Sequence, residues 1–256
     1  MKELINLENV TKKYGNVLAL DKLNLNIEEG EFYGFLGPNG AGKTTTIKII
    51  TGLLSADSGK VEIDGIDINE NPIEIKKRMG FIPDNPFLYE KLTAKEYLHF
   101  IGKIYDLDDK TIEKRSNYYL DLFNLAGWGN DLIESYSHGM RQKTVMAGAL
   151  LHKPKVLIVD EPMVGLDPKG IILVKNIFSV LTSEEKVTIF MSTHTLSIAE
   201  EICTRIGIIH KGRLIAEGTA KELQKSSRSN KNTLEDIFMI LTDEVSSTEL
   251  AMKKIY

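Results

Sequence analysis

The sequence predicts an α/β core interrupted by a helical insertion. Three stretches carry the prediction. Residues 31–53 read as a short apolar run, a glycine-rich turn and then apolar residues at helical spacing. Residues 93–150 carry helical patterns almost throughout. From Val156 onward, strand and helix patterns alternate again.

Taken in order, residues 4–10, 17–27 and 60–68 hold β-prone side chains between Gly, Asn and Asp turns and read as strands. Glu31 to Leu36 is a short apolar strand, and Thr44 to Leu53 is a helix. Thr93-Ala94-Lys95-Glu96 is a capping box that opens the insertion, with further helices over about 109–125 and 138–151. The core resumes with strand 156–160, helix 168–182, strand 187–192, helix 196–203 and strands 206–210 and 213–217. Residues 225–232 form a polar linker. A short amphipathic helix follows, with Leu234, Ile237, Phe238 and Leu241 on one face.

Composition narrows the function. The 256 residues are 42% hydrophobic and 27% charged, an ordinary globular balance. A formal charge of -4 offers no bulk attraction for a polyanion, so no nucleic-acid partner is expected. The single cysteine, Cys203, allows no internal disulfide, and no Cys/His cluster points to zinc. The opening Met1 to Asn6 lacks the apolar core of a signal peptide. No run reaches the roughly 18 apolar residues of a membrane span, so any spans are expected from another polypeptide.

Residues 37–44, Gly37-Pro38-Asn39-Gly40-Ala41-Gly42-Lys43-Thr44, fit G-x-x-x-x-G-K-[ST] at every defined position. Glycines let successive N–H groups turn inward around phosphate oxygens, and the following helix adds its positive N-terminus. Lys43 reaches the β- and γ-phosphates, and the Thr44 hydroxyl is placed to ligate Mg²⁺. Val156 to Val159 is an apolar strand that ends in Asp160 and Glu161. Asp160 is placed to hold Mg²⁺, and Glu161 to orient and partly deprotonate the attacking water. His194 follows another apolar strand, where it can touch a γ-phosphate or serve as a plain polar loop residue.

Together these pieces resemble the ABC transporter ATPases. Tyr136-Ser137-His138-Gly139-Met140 is similar to the family signature Leu-Ser-Gly-Gly-Gln, keeping its Ser and second Gly. The Ser-x-Gly-Met form looks like that of exporters with separate membrane subunits. The resemblance spans residues 2 to about 222. It implies a P-loop NTPase (RecA-like) core, an N-terminal antiparallel β subdomain and the inserted helical subdomain. The expected division is an ATPase domain over 1–222 (core 1–88 and 152–222, insertion about 89–151), then linker and tail over 223–256.

The same resemblance implies that Ser137 and Gly139 meet the ATP of an opposite subunit, in a homodimer or with a paired second ATPase subunit. It makes Thr45 part of the phosphate site, His194 the switch histidine and Gly165-Leu166-Asp167 the loop coupling the two sites. Tyr14 looks like the adenine-stacking aromatic, with core packing as the other reading. Asp84 stands where the family has a glutamine, and is expected to contact the metal directly or through water, with Asn85 as the alternative. Phe87-Leu88-Tyr89 is the candidate docking surface for integral membrane permease subunits. The expected activity is hydrolysis of ATP with Mg²⁺ at the cytoplasmic face of the membrane, driving transport and more often export. A soluble ATPase without a membrane partner, or a regulatory nucleotide-binding module, is the competing reading.

Overall fold

Two long strands open the chain, β1 (Glu3–Tyr14) and β2 (Val17–Glu28). They pair antiparallel across Gly15-Asn16, where Gly15 takes a left-handed φ of 56°. Strand β3 (Phe32–Leu36) and helix α1 (Lys43–Ile50) follow. The computed structural model describes residues 2–226 and 233–242.

The expected strand over 60–68 is a hairpin instead: β4 (Ser58–Ile63) and β5 (Ile66–Asp67). Asp64 and Gly65 both have positive φ, 52° and 75°, which suits a two-residue turn with the strands' own twist. The apolar run hid the turn because Asp-Gly sits between Ile63 and Ile66, which face each other. These strands form a four-stranded sheet in the order β2-β1-β4-β5.

The sequence patterns assigned nothing to residues 72–82, yet two elements lie there. Helix α2 (Pro72–Arg78) starts on Asn71, whose side chain accepts from the Glu74 N–H. Strand β6 (Met79–Ile82) has four residues, too few for a period to show. Gly80 lets it run close to its neighbours: a Cβ there would meet Ala149 O at 2.6 Å.

The insertion supplies α3 (Ala94–Ile104), α4 (Asp109–Leu122) and α5 (His138–Leu150). The capping box at Thr93 and Glu96 forms as expected. The core resumes with β7 (Val156–Asp160), α6 (Pro168–Ser183), β8 (Thr188–Thr193), α7 (Leu196–Ile202), β9 (Arg205–His210) and β10 (Arg213–Gly218). The six-stranded sheet runs β10-β9-β3-β8-β7-β6, parallel apart from β10.

Every residue of β3, β7 and β8 is buried, as a sheet covered on both faces requires. Phe32, Leu157, Val159, Ile189 and Met191 face α6 and the insertion. Tyr33, Phe35, Val156, Ile158 and Phe190 face α1 and the four-stranded sheet.

One buried carboxylate fastens the two sheets together. The Asp64 side chain is 2% exposed and pairs with Lys2, Arg78 and Lys155. Arg78 leads into β6 and Lys155 into β7, so Asp64 anchors the starts of two strands.

Helix α8 (Ala220–Ser226) and helix α9 (Leu234–Leu241) close the described chain. Leu234 and Phe238 pack with Leu36, Ile206 and Ile208, and Ile237 is buried as well. Leu241, expected on the same face, is instead 36% exposed. Residues 227–232 of the expected linker and the tail beyond 242 lie outside the described residues. No described helix is long and apolar enough to cross a membrane.

Candidate functional site

Residues 37–42 turn from β3 into α1, and two of the glycines are there because nothing larger fits. A Cβ on Gly37 would lie 2.5 Å from Ile209 O, and one on Gly42 would lie 2.8 Å from Ala19 O. Gly42 also takes φ 117°. Gly40 stands in open space, so its φ of 78° is the reason for glycine there. The Ala41 N–H donates to Pro38 O at 3.1 Å, and Gly212 N–H donates to Ala41 O at 2.9 Å, tying the loop to the β9–β10 turn.

Helix α1 carries neither a side-chain cap nor an acidic residue in its first turn. Its leading N–H groups therefore face the loop as a ready anion seat. Pro38 is half-buried and Asn39 exposed. Lys43 is buried, and its Nζ donates to Gly37 O at 2.5 Å and Pro38 O at 3.2 Å. Burial pushes its pKa down, while Glu161 and Asp160 pull it up. Thr44 is exposed and Thr45 half-buried beside it.

Asp160 ends β7 and accepts a hydrogen bond from Ser192 Oγ. Burial raises its pKa, and although the Ser192 bond opposes this, Asp84 and Glu161 push further up. Asp84 thus lies near enough for its charge to be felt at Asp160, and Lys43 is the neighbouring cation. Among the described residues, no hydrogen bond or ion pair links Asn85 to this group.

Glu161 leaves the strand at φ 48°, a left-handed conformation that costs a non-glycine residue about 1–3 kcal/mol. His194 Nδ1 meets Glu161 Oε1 at 2.8 Å, with the imidazole 64% exposed. Lys43, Asp160, Glu161, Asp84 and His194 therefore converge at the phosphate loop.

Three expected residues lie apart from this convergence. Tyr14, at the β1–β2 turn, is 49% exposed, which rules out core packing; Lys12 lies 6.0 Å from its ring. Ser137 caps α5 by accepting from the Met140 N–H at 3.3 Å. Gly139 lies against the 165–167 turn, where a Cβ would meet Gly165 O at 3.3 Å. Among the described residues, no hydrogen bond or ion pair joins Ser137 or Gly139 to residues 37–44.

Sequence reasoning overlooked Ser192 and Gln142. Ser192 is a buried hydroxyl that follows the apolar Ile189, Phe190 and Met191 of its strand, a pattern that could have marked it. Gln142 is fully buried and donates to Pro83 O.

Comparison with known proteins agrees with this geometry. The ABC transporter family matches residues 20–164. The bacitracin transport ATP-binding protein BcrA of Bacillus licheniformis is 40% identical over 228 residues, covering 89% of this chain and 74% of that protein. The linearmycin resistance ATP-binding protein LnrL of Bacillus subtilis is 38% identical, covering 86% and 70%. Among solved structures, an ATP-binding subunit of an ABC transporter superposes with TM-score 0.87 at 31% identity, covering 93% of this chain and 99% of that one. A dimeric ATP-binding cassette bound to ADP and Pi superposes with TM-score 0.78 at 30% identity, covering 84% and 98%. The fold and much of the sequence are thus shared with ATP-binding cassettes, one of them solved with ADP and Pi bound. The chain belongs to the ABC transporter family, as an ATP-binding and ATP-hydrolysing subunit.

Proposed function

We infer that two copies of this chain, or this chain and a paired second ATPase subunit, enclose ATP between them and drive export through separate membrane permease subunits. The observation that carries the reading is the convergence of Lys43, Asp84, Asp160, Glu161 and His194 on the 37–42 loop. In this reading Tyr14 stacks on adenine, and the loop amides with Lys43 and Thr45 hold the phosphates. Ser137 and Gly139 of one copy meet the terminal phosphate bound by the other. Glu161 takes a proton from the attacking water. The Glu161–His194 contact holds the carboxylate and imidazole in one orientation while the phosphate departs.

The Thr44 hydroxyl and the Asp160 and Asp84 carboxylates form an all-oxygen donor set, which fits Mg²⁺. Among the described residues no group of three or more His, Cys, Asp or Glu is arranged to hold a metal alone, in keeping with a cation that shares its ligands with nucleotide. Bound there, Mg²⁺ would neutralise charge developing on the β- and γ-phosphates. Residues 1–222 act as the ATPase domain in this reading, with the C-terminal helix docked on it.

A permease, and hence a site at the cytoplasmic face of the membrane, is supported by an apolar groove between core and insertion. Met79, Phe81, Tyr97, Ile101 and Tyr105 line it. Phe87 and Tyr89 are 83% and 60% exposed, and Tyr89 packs edge-on against Phe100 of α3 at 5.4 Å. Leu88, between them, packs into the core and is not part of the exposed patch. The names of relatives that act in bacitracin transport, linearmycin resistance and daunorubicin resistance support export.

The test is Glu161→Gln beside Lys43→Ala. Glu161→Gln should slow hydrolysis by about 10²–10⁴-fold yet retain ATP in a dimer seen by gel filtration. Lys43→Ala should lose both. Parental turnover in either variant contradicts the proposal.

A further inference from the structure

Helix α5 begins at the signature segment, and its first two turns grip the loop that carries Asp84. Gln142 is 0% exposed, and its Nε2 donates to Pro83 O at 3.4 Å. Its Oε1 is buried and has no partner among the described residues. One residue earlier, Arg141 donates from Nη1 to Glu90 Oε1 at 2.5 Å. The same guanidinium holds Tyr136 O at 3.2 Å and Glu134 O at 2.9 Å.

Neighbouring residues of α5 therefore hold both ends of residues 83–90. Glu90 O also accepts from the Glu134 N–H at 3.0 Å and Leu88 packs on the core, but the stretch between has little backbone support. It forms no helix or strand, and past the end of β6 residues 83–88 make one hydrogen bond among the described residues, the one from Gln142. A buried amide placed in an apolar helix interface needs a reason, because a half-satisfied Gln is costlier there than an aliphatic chain.

We propose that Gln142 and Arg141 are positioning residues: a clasp by which the signature helix sets the place of residues 83–90, and with it the Asp84 carboxylate. Because Gly139 on the same helix packs on the Gly165 turn that follows Glu161, α5 touches both acidic arms of the site. A displacement of α5 when Ser137 engages the opposite nucleotide is then transmitted to Asp84 through two side chains. The consequence for the metal rests on the reading of Asp84 given above; the clasp itself does not.

The clasp is tested by backbone ¹⁵N order parameters of the full chain over residues 84–90. Gln142→Met keeps the volume and removes the amide. Order parameters over this segment should fall from about 0.85 to about 0.6 or below, with the α5 interior unchanged. Glu90→Ala, at the surface, should act in the same sense, while Glu90→Gln, which still accepts from the guanidinium, stays at the parental values. In Gln142→Met the Mg²⁺ concentration for half-maximal hydrolysis should rise several-fold, with nucleotide affinity in EDTA within two-fold. Unaltered order parameters over 84–90 in both Gln142→Met and Glu90→Ala overturn the clasp. If Gln142→Met does not fold, the Glu90 pair decides alone. Asp84→Asn separates the two ideas: a parental Mg²⁺ requirement in that variant removes the metal role of Asp84, and the order parameters over 84–90 then decide the clasp by themselves.

Discussion

Replacing Asp64 with Asn removes the anion on which Lys2, Arg78 and Lys155 converge while keeping shape. Burial by itself would push this carboxyl up. The hydrogen bonds from Lys2, Lys155 and Arg78 outweigh it and hold the pKa at about 2, against an ordinary 3.8. At about 1.36 kcal/mol per pH unit that difference corresponds to roughly 2.4 kcal/mol. Lys2 and Lys155 are 55% and 56% exposed, so water screens the cluster. A net contribution of about 1–2 kcal/mol is expected.

The sign follows from the direction of the shift. A carboxyl depressed in the folded state contributes fully above the unfolded value of about 4, and the contribution fades as pH falls toward 2. Urea denaturation at pH 7 should show Asp64→Asn less stable by about 1–2 kcal/mol, or about 2–8 °C in Tm for a chain of this size. The gap between parent and variant should narrow steadily between pH 4 and 3. Equal stability at pH 7, or a gap that widens in acid, refutes the account of Asp64 as the anchor between the sheets.

Two further outcomes follow from the site. Gly42→Ala places a methyl 2.8 Å from Ala19 O at a φ of 117°, so ATP affinity should drop at least ten-fold in a fluorescent-nucleotide titration. Retained affinity would mean that the loop does not need this backbone. Phe87→Asp changes a side chain that is 83% exposed, so stability should move by less than about 0.5 kcal/mol and ATP binding should stay parental. Co-purification with a membrane partner should fall at least ten-fold, and undiminished recovery would count against the docking face.

Much of the site could be read before the fold was known, because its chemistry is local in sequence. The 37–44 loop and the Val156–Glu161 strand each carry their meaning within eight residues. The capping box at Thr93–Glu96 is likewise short-range, and it formed. What escaped was either too short or too remote. Strand β6 has four residues, and the Asp64-Gly65 turn lay inside an apolar run. Ser192 joins Asp160 across 32 positions, and Gln142 reaches Pro83 across 59.

The order of residues alone therefore determined the phosphate loop, the paired carboxylates and the alternation that yields an α/β core, since each follows from backbone freedom and side-chain period over a few neighbours. The tertiary structure decided which groups share a space. It brought Asp84 to Asp160, bonded His194 to Glu161, left Tyr14 in the open and turned Leu88 inward. Those outcomes depend on how parallel strands distant in sequence align their ends, and that alignment is set by burial of both sheet faces rather than by any local pattern.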